Sequence, residues 1–289
     1  MITVTTPTGQ IGRVVLDHLL NSPLRDRLRV IVRDPDRLPS GVRERVDVVQ
    51  GSHDDPEVLA KAFAGATSVF WLVPPNPQAT DVDEYYLDFA REAAKAIQQY
   101  GVRRLVGVST LGRGVAENAG LLSAALAADE LIGTTGVAQR TICAPYFLEN
   151  FLNQADSIRQ GVLSLPMDGD RRLRTCATAD LAAVAADLLL DESWTGQSDV
   201  PVAGPDHLTL DEMAQVMSEV LGRRVGFRSI GDAEYEEALT GYGVSAAWAE
   251  GLSLMAKAQN EQAIYDSAEL RLLPTSLREW FGAAFTPGR

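Results

Sequence analysis

Short apolar runs alternate with longer amphipathic stretches along the first two hundred residues of the chain. The apolar runs are rich in β-branched and aromatic residues, which favour buried strands. They predict strands at residues 2–5, 28–32, 46–49, 68–73, 104–108, 139–143 and 200–203. The stretches between them have helical spacing, most clearly at residues 12–20, 84–100, 121–132 and 178–190.

Beyond residue 209 the pattern changes to helices, with predicted segments at 210–221 and 232–239. Strands that alternate with helices are typical of a parallel α/β sheet. We therefore expect a Rossmann-like, doubly wound parallel sheet with a smaller, mainly helical C-terminal lobe. We assign residues 1–150 and about 176–203 to a dinucleotide-binding Rossmann domain, and residues 151–175 and 204–289 to a substrate lobe.

A glycine-bearing turn, Thr6-Pro7-Thr8-Gly9-Gln10-Ile11-Gly12, joins the first strand to the first helix. The start of a helix carries unpaired N–H groups and the positive end of the helix dipole, which together favour a diphosphate. The usual fingerprint has three glycines, whereas here Thr6 occupies the first position. In a purely architectural alternative, Gly9 takes a positive φ and Gly12 lets the helix pack on the strand. The candidate cofactor contacts are Thr6, Thr8, Gly9, Gln10 and Ile11.

Two arginines, Arg33 and Arg37, follow the second strand, where the adenosine ribose of a dinucleotide lies in this class of fold. A guanidinium suits a 2′-phosphate, whereas an acidic residue suits a free 2′-hydroxyl. The two arginines therefore favour NADP over NAD as the cofactor. In the alternative interpretation they are solvated loop residues that face the neighbouring Asp34 and Asp36.

Other candidate site residues follow the fourth, fifth and sixth strands. Val73 and Pro74 begin a proline-rich exit that can form a lip over the nucleotide. Ser109 and Thr110 end the fifth strand, and their hydroxyls can bind a nicotinamide or a substrate carbonyl, or simply cap the strand end. Tyr146 either lines the cleft or packs in the core with its hydroxyl satisfied. We take Tyr146, Ser109 and Thr110 as candidate catalytic residues, with Ser109 as a cofactor contact too.

The formal net charge of −13 disfavours nucleic acid and anionic membranes as partners, because both are negatively charged. No apolar run reaches the roughly 20 residues that span a bilayer, and the chain opens with a strand rather than a signal peptide. We expect a cytoplasmic protein that acts on a small-molecule substrate, with no nucleic-acid or membrane partner. The sequence is compatible with an oligomer.

The cysteines and histidines do not suggest a metal site. Cys143 and Cys176 are far apart in sequence and form no CxxC motif. His18, His53 and His207 lie in unrelated segments without metal-ligand spacing. We expect no metal, and we expect His53 to be a solvated surface residue.

Several motifs along the chain match those of one known family. Residues 5–12 occupy the place of T-G-A-T-G-x-x-G, and residues 32–35 match V-R-x-P. Residues 101–110 match G-V-x-R-x-V-x-x-S-S. Residues 136–150 match G-L-x-x-T-I-L-R-P-x-x-F-M-E-N, with Cys-Ala in place of Arg-Pro. On these motifs the chain resembles the NmrA-like branch of the atypical short-chain dehydrogenase/reductases, most closely members of the ergot-alkaloid reductase type.

The resemblance implies a Rossmann fold, a nicotinamide cofactor and reductase chemistry. Members of the wider superfamily use a Tyr-x-x-x-Lys pair, in which the lysine lowers the pKa of the tyrosine so that it can transfer a proton. This chain has three lysines, Lys61, Lys95 and Lys257, and none follows a tyrosine at that spacing. Some NmrA-like reductases have a lysine in the segment equivalent to residues 121–130, but this chain has none there.

Three functions remain open. The first is an NAD(P)H-dependent reductase of a small imine, enone or carbonyl compound, as in secondary metabolism. The second is a non-redox cyclase, isomerase or lyase on the same fold, with Tyr146 or Glu149 as acid or base. The third is a regulator that senses nicotinamide nucleotide without turnover. The family's usual chemistry favours an oxidoreductase, one that lacks the Tyr-x-x-x-Lys pair.

Overall fold

The computed structural model describes residues 1–24, 27–265 and 269–286. The strands of these ranges are β1 (Ile2–Val4), β2 (Leu28–Val32), β3 (Asp47–Gln50), β4 (Ser68–Trp71), β5 (Arg104–Thr110), β6 (Ala138–Ala144), β7 (Tyr146–Phe147), β8 (Val162–Leu165), β9 (Arg172–Cys176), β10 (Gln197–Ala203), β11 (His207–Thr209), β12 (Gly226–Ser229) and β13 (Arg271–Leu272).

The α-helices of the same ranges are α1 (Gln10–Leu20), α2 (Ser40–Arg43), α3 (Pro56–Phe63), α4 (Val82–Tyr100), α5 (Leu121–Gly133), α6 (Ala155–Gln160), α7 (Thr178–Leu190), α8 (Leu210–Leu221), α9 (Asp232–Gly241), α10 (Ala246–Glu261) and α11 (Leu277–Phe285). Short 3₁₀ helices lie at Pro35–Arg37 and Leu148–Gln154. The predicted helices therefore exist, with ends that differ by a few residues.

A parallel sheet of eight strands forms the centre of the described structure, in the order β13-β10-β6-β5-β4-β1-β2-β3. The chain winds outward from β1 in one direction through β2 and β3, and in the other through β4, β5 and β6. This arrangement is a Rossmann-like α/β sheet, as the sequence predicts. Its ligand-binding crevice is expected where the strand order reverses, outside the carboxyl ends of β1 and β4.

Helices cover both faces of the sheet because its strands are apolar on both sides. Apolar side chains of α1 and α7 share a buried cluster with β1 and β2 on one face. Those of α3, α4 and α5 pack on the other face with β4. The buried side chain of Thr5 joins β1 to β4 at the carboxyl edge: its hydroxyl donates to Phe70 O (3.1 Å) and accepts from Leu72 N (3.1 Å).

A third apolar cluster forms the core of the lobe. It contains residues of α8, α10 and α11 with those of β8 and β9, and small sheets β11-β9-β7 and β12-β8 lie beside it. The predicted division of the chain into two domains remains a proposal. The segment assigned to the lobe also supplies β13, which pairs with β10 of the central sheet, and Leu273 N donates to Ala203 O (2.7 Å).

Candidate functional site

The turn between β1 and α1 has an unusual backbone at Thr6, where φ is +50°. The architectural alternative predicts a positive φ at Gly9, and this prediction is wrong: Gly9 has φ −82°. Gly9 N donates to Thr6 O (3.0 Å) and closes the turn. A Cβ on Gly12 would overlap the same Thr6 oxygen, so α1 starts in direct contact with the turn. The expected packing role of Gly12 is confirmed.

The first turn of α1 leaves its N–H groups free for a ligand. Gly9 is the N-cap and supplies no side-chain acceptor, and the first helical turn contains no acidic residue. Unpaired N–H groups with the positive end of the helix dipole suit an anion. Thr8 is half-buried and Gln10 is exposed, so both can reach a bound group. The Ile11 side chain is only 5% exposed, so Ile11 offers mainly its backbone N–H.

Arg33 and Arg37, at the end of β2, are both exposed. Both are solvated, as the alternative interpretation expects, but they do not pair with Asp34 and Asp36. Asp34 accepts from Asp36 N (3.1 Å), and Asp36 pairs with Arg43 (2.6 Å). Within the described ranges neither Arg33 nor Arg37 forms an ion pair, so both guanidinium groups are available to a phosphate.

His53, after β3, is buried, and the prediction of a solvated surface residue is wrong. Its ring is 5% exposed and makes edge contacts with Trp71 (5.0 Å between centroids) and Phe89 (4.7 Å). Burial lowers the pKa of His53 to about 4, so the ring is neutral near pH 7. Its Nε2 lies 3.0 Å from Leu72 O, which can only accept, so Nε2 carries the proton. His53 thus braces the end of β4.

The lip that follows β4, residues 73–79, is partly ordered by one phenol. Val73 and Pro74 are half-buried. Tyr85, in the first turns of α4, donates from its hydroxyl to Pro74 O (2.9 Å). Burial raises the pKa of Tyr85 to about 12, so the hydroxyl keeps its proton. Val73 and Pro74, two of the predicted cofactor contacts, therefore lie on a segment that a hydrogen bond from α4 holds in place.

Ser109 and Thr110 differ in how their hydroxyls are used. Thr110 Oγ1 donates to Leu111 O (3.0 Å), as in an ordinary strand-end cap. Ser109 Oγ is buried and makes no full hydrogen bond. It faces the carboxylate of Asp129 on α5, and this contact favours the ionised form of the acid and so opposes the rise in its pKa. Ser109 is therefore the hydroxyl of this pair that remains open to another partner.

Asp129 is a buried acid beside these hydroxyls, with a side chain only 13% exposed. Burial raises its pKa to about 7, against the opposing influence of Ser109 and of Arg113. Arg113 lies 3.3 Å from Asp129 and 2.9 Å from Asp199 on β10. It thereby joins the β5–α5 loop to α5 and to the sheet. A pocket of about 190 Å³ opens beside this group, lined among others by Thr110, Arg113, Cys143, Asp199 and Ile264.

Tyr146, on β7, contacts Phe151 with ring centroids 5.4 Å apart. Burial raises its pKa, and the nearby phenol of Tyr235 acts in the same direction. Burial raises the pKa of Tyr265, and the nearby phenol of Tyr146 raises it further. The three phenols form a protonated group after the end of β6. Tyr146 can therefore donate a hydrogen bond, but nothing here makes it a strong acid.

Glu149 does not face a free cleft. Both of its carboxylate oxygens accept from Thr178 N (3.1 Å each), at the first residue of α7. One of them also accepts from Trp280 Nε1 on α11 (3.2 Å). Glu149 therefore satisfies the start of one helix and connects it to another.

A family model described as NAD(P)H-binding matches residues 7–192. The chain belongs to this NAD(P)H-binding family. The matched region contains the turn before α1 from Pro7 onward, the arginines after β2, the lip and Ser109. The resemblance to NmrA-like atypical short-chain dehydrogenase/reductases is confirmed.

Named relatives of the family are similar over most of the chain. It is 31% identical over 233 residues to (4-alkanoyl-5-oxo-2,5-dihydrofuran-3-yl)methyl phosphate reductase of Streptomyces griseus, covering 80% of this chain and 77% of the relative. It is 28% identical over 221 residues to agroclavine dehydrogenase of Claviceps purpurea, covering 74% and 70%. The crystal structure of Citrobacter sp. triphenylmethane reductase complexed with NADP(H) superposes with a TM-score of 0.82 at 23% identity, covering 99% of this chain and 100% of that one.

Sequence reasoning missed Asp129 and Arg113 in this family member. The one signal for Asp129 was the pair of acids, Asp129 and Glu130, that follows the mainly apolar first part of α5. Arg113 gave no signal, since its three acidic partners, Asp129, Glu130 and Asp199, lie at least 16 residues away along the chain. Within the described part of the chain, no group of three or more His, Cys, Asp or Glu side chains is arranged to hold a metal ion. Over the same residues, no helix has the length and apolar character needed to cross a membrane.

Proposed function

We propose that the protein is an NADPH-dependent reductase of a small, conjugated organic molecule: an imine, an enone or a carbonyl compound. The observation that carries the proposal is the start of α1. Its N–H groups have no side-chain cap, and Gly12 lets the first turn of α1 lie against the backbone of Thr6 without space for a Cβ. A compact diphosphate fits such a surface, because backbone donors can approach it closely.

The names of the relatives support a reductase. Two are called reductases and one a dehydrogenase, and the compounds in their names are an oxo-dihydrofuranyl methyl phosphate, agroclavine and triphenylmethane. These are organic ring systems rather than sugars or peptides. We infer that this chain also reduces a small ring compound, and a role in secondary metabolism agrees with the agroclavine relative. The cytoplasmic location predicted from the sequence remains a prediction.

Arg33 and Arg37 support NADPH over NADH. They are exposed, they lie after β2, and their acidic neighbours are occupied elsewhere. A free guanidinium can make paired, charge-assisted hydrogen bonds to a 2′-phosphate. Thr6, Thr8, Gly9, Gln10 and Ile11 would hold the diphosphate, and Val73, Pro74 and Ser109 would follow the rest of the nucleotide.

When bound, NADPH supplies the hydride for such a reduction. The chain's own residues orient the substrate. Ser109 Oγ is a buried hydroxyl without a full hydrogen bond, and it can donate to a substrate oxygen or nitrogen. Tyr146 keeps its proton and can do the same from β7. Thr110 contributes less, since its hydroxyl is engaged with Leu111 O.

The two alternative functions are weighed differently by the geometry. A non-redox enzyme would need an available acid or base. Glu149 is engaged with Thr178 and Trp280, which disfavours it in this role and leaves Tyr146 and the buried Asp129, whose pKa is raised to about 7. A nucleotide-sensing regulator would use the same cofactor surface as a reductase. Only turnover separates these last two functions.

The test is a fluorescence titration with NADPH and NADH, followed by NADPH oxidation assays with quinones, enones, cyclic imines and triphenylmethane dyes. Arg33→Ala should weaken NADPH binding by about 1–3 kcal/mol and leave NADH binding unchanged. Arg223→Ala is the matched control, because it removes an exposed arginine remote from β2. Failure of the wild type to bind either nucleotide would refute the proposal, and binding without oxidation of NADPH by any compound would favour the regulator.

A further inference from the structure

The lip at residues 73–79 has few backbone hydrogen bonds of its own. Pro74, Pro75 and Pro77 have no N–H group, so the segment cannot form a ladder or a helix. Its internal bonds are those of one turn: Ala79 N to Asn76 O (2.9 Å) and Gln78 N to Asn76 Oδ1 (3.2 Å). A segment with so few internal bonds needs external contacts to hold one conformation.

Those contacts come from the junction of α9 and α10, more than 160 residues away along the chain. Ser245 N donates to Pro77 O (2.8 Å), and Ser245 Oγ donates to Ala79 O. Gln78 Nε2 donates to Gly243 O. Ser245 Oγ also accepts from Trp248 N (3.1 Å) and so caps α10. One hydroxyl therefore both starts a helix of the lobe and holds the lip.

Ring packing strengthens the same junction. Trp248, three residues into α10, is buried and stacks on Tyr86 with centroids 6.4 Å apart and planes at 12°. It also makes an edge contact with Tyr85, the residue that donates to Pro74 O. The lip is thus bound at Pro74 by α4 and at Pro77 and Ala79 by Ser245. Displacing the start of α10 would release one end of the lip.

We propose that Ser245 is a positioning residue for the nicotinamide nucleotide. It holds residues 73–79 of the cofactor surface in place from the lobe, although it does not contact the nucleotide itself. This inference rests on the proposed function, because Val73 and Pro74 are taken there as nucleotide contacts. In this role Ser245 makes the retention of the cofactor depend on the start of α10.

The decisive comparison uses two serines with the same local role. Ser245 caps α10, and Ser276 caps α11 through Glu279 N (3.2 Å), but only Ser245 reaches the lip. Ser245→Ala and Ser276→Ala each remove one N-cap hydroxyl, so their costs to helix stability are similar. Ser245→Thr retains a hydroxyl that can cap and donate, and it serves as the conservative rescue.

Two measurements follow the lip. The first is the rate of NADPH dissociation by stopped-flow fluorescence with a chase of excess NADP⁺. The second is amide hydrogen exchange of the peptide covering residues 72–80 without nucleotide. We expect Ser245→Ala to accelerate dissociation roughly five- to tenfold, the effect of one lost hydrogen bond, and to speed exchange in this peptide. Ser276→Ala should leave both unchanged, and Ser245→Thr should restore both.

If wild type and Ser245→Ala both bind NADPH and show equal dissociation and exchange rates, the positioning role of Ser245 is overturned and the proposed function is not. Equal acceleration by Ser276→Ala would also overturn the positioning role, since the effect would then come from general loss of stability. A wild-type protein that binds no nicotinamide nucleotide would overturn the proposed function, and the positioning role would fall with it. Faster exchange at the lip without faster dissociation would separate the contact from any role in retention, and would count against the inference.

Discussion

Replacing Thr6 with glycine should stabilise the protein. Thr6 has φ +50°, where an L-residue costs about 1–2 kcal/mol and a β-branched one is least tolerated. Its Oγ1 is buried without a partner, which costs roughly 1–3 kcal/mol for such a group. Glycine removes both costs. It loses about 0.5–1 kcal/mol more backbone entropy on folding and about 0.8 kcal/mol from the missing methyl. The net gain is about 1–2 kcal/mol.

The assay is urea unfolding followed by tryptophan fluorescence, with a thermal melt alongside. For a chain of 289 residues, a gain of this size raises Tm by about 2–3 °C. Asn118→Gly is the control, because Asn118 also has φ +50° but asparagine tolerates this region. We expect little gain there. A Thr6→Gly variant less stable than wild type would refute the strain argument. NADPH affinity should be retained, since Thr6 Oγ1 is buried, the proposed contact of Thr6 is through its backbone, and the family motif has glycine at this position.

Three further predictions concern the turn and the cleft. Gly12→Ala should reduce NADPH affinity at least tenfold, because its Cβ would overlap Thr6 O and push α1 from the turn. Gly41→Ala, which has open space around its Cβ, should leave the affinity unchanged. Titration of both variants with NADPH checks this. The pKa of Asp129 is raised to about 7 in the folded protein, so the folded state keeps this proton at pH values where the unfolded chain has lost it. Stability therefore falls as pH rises from about 4 through 7. The urea midpoints at pH 5 and pH 8 should differ less in Asp129→Asn than in wild type. Tyr146→Phe should lower kcat of the reductase by less than tenfold, because a phenol with a raised pKa serves to orient substrate, and a hundredfold loss in steady-state assays would make it the proton donor instead.

The sequence predicted the central sheet because its inner strands are buried on both faces and therefore read as continuous apolar runs. β4, with all four residues buried, is the clearest case. The start of α1 was predictable for a related reason, since the turn has its own glycine spacing. β13 was not predictable: it has two residues, Arg271 and Leu272, and no periodicity can be read from so short a segment.

Site residues were harder to predict where their surroundings come from distant parts of the chain. His53 is buried because Trp71 and Phe89 close over it, and its own segment reads as a polar loop. Whether Arg33 is free depended on Asp36, which pairs with Arg43 instead. The contacts between Ser245 and the lip join residues that no local pattern relates. Local sequence rules predict helices and strands, but tertiary packing decides which hydrogen-bond or ion-pair partner each polar side chain has.

The position of β13 means that the central sheet is completed late in the synthesis of the chain. Because β13 pairs with β10, one border of the central sheet is finished only when residues 271 and 272 have been synthesised. Thr275, just beyond, is then fixed by Asp180 of α7 through its N–H (2.9 Å) and hydroxyl (3.0 Å). A nascent chain that stops at residue 203 would leave β10 with a bare edge, open to pairing with another chain. A single cut after β10 would therefore remove a strand of the central sheet.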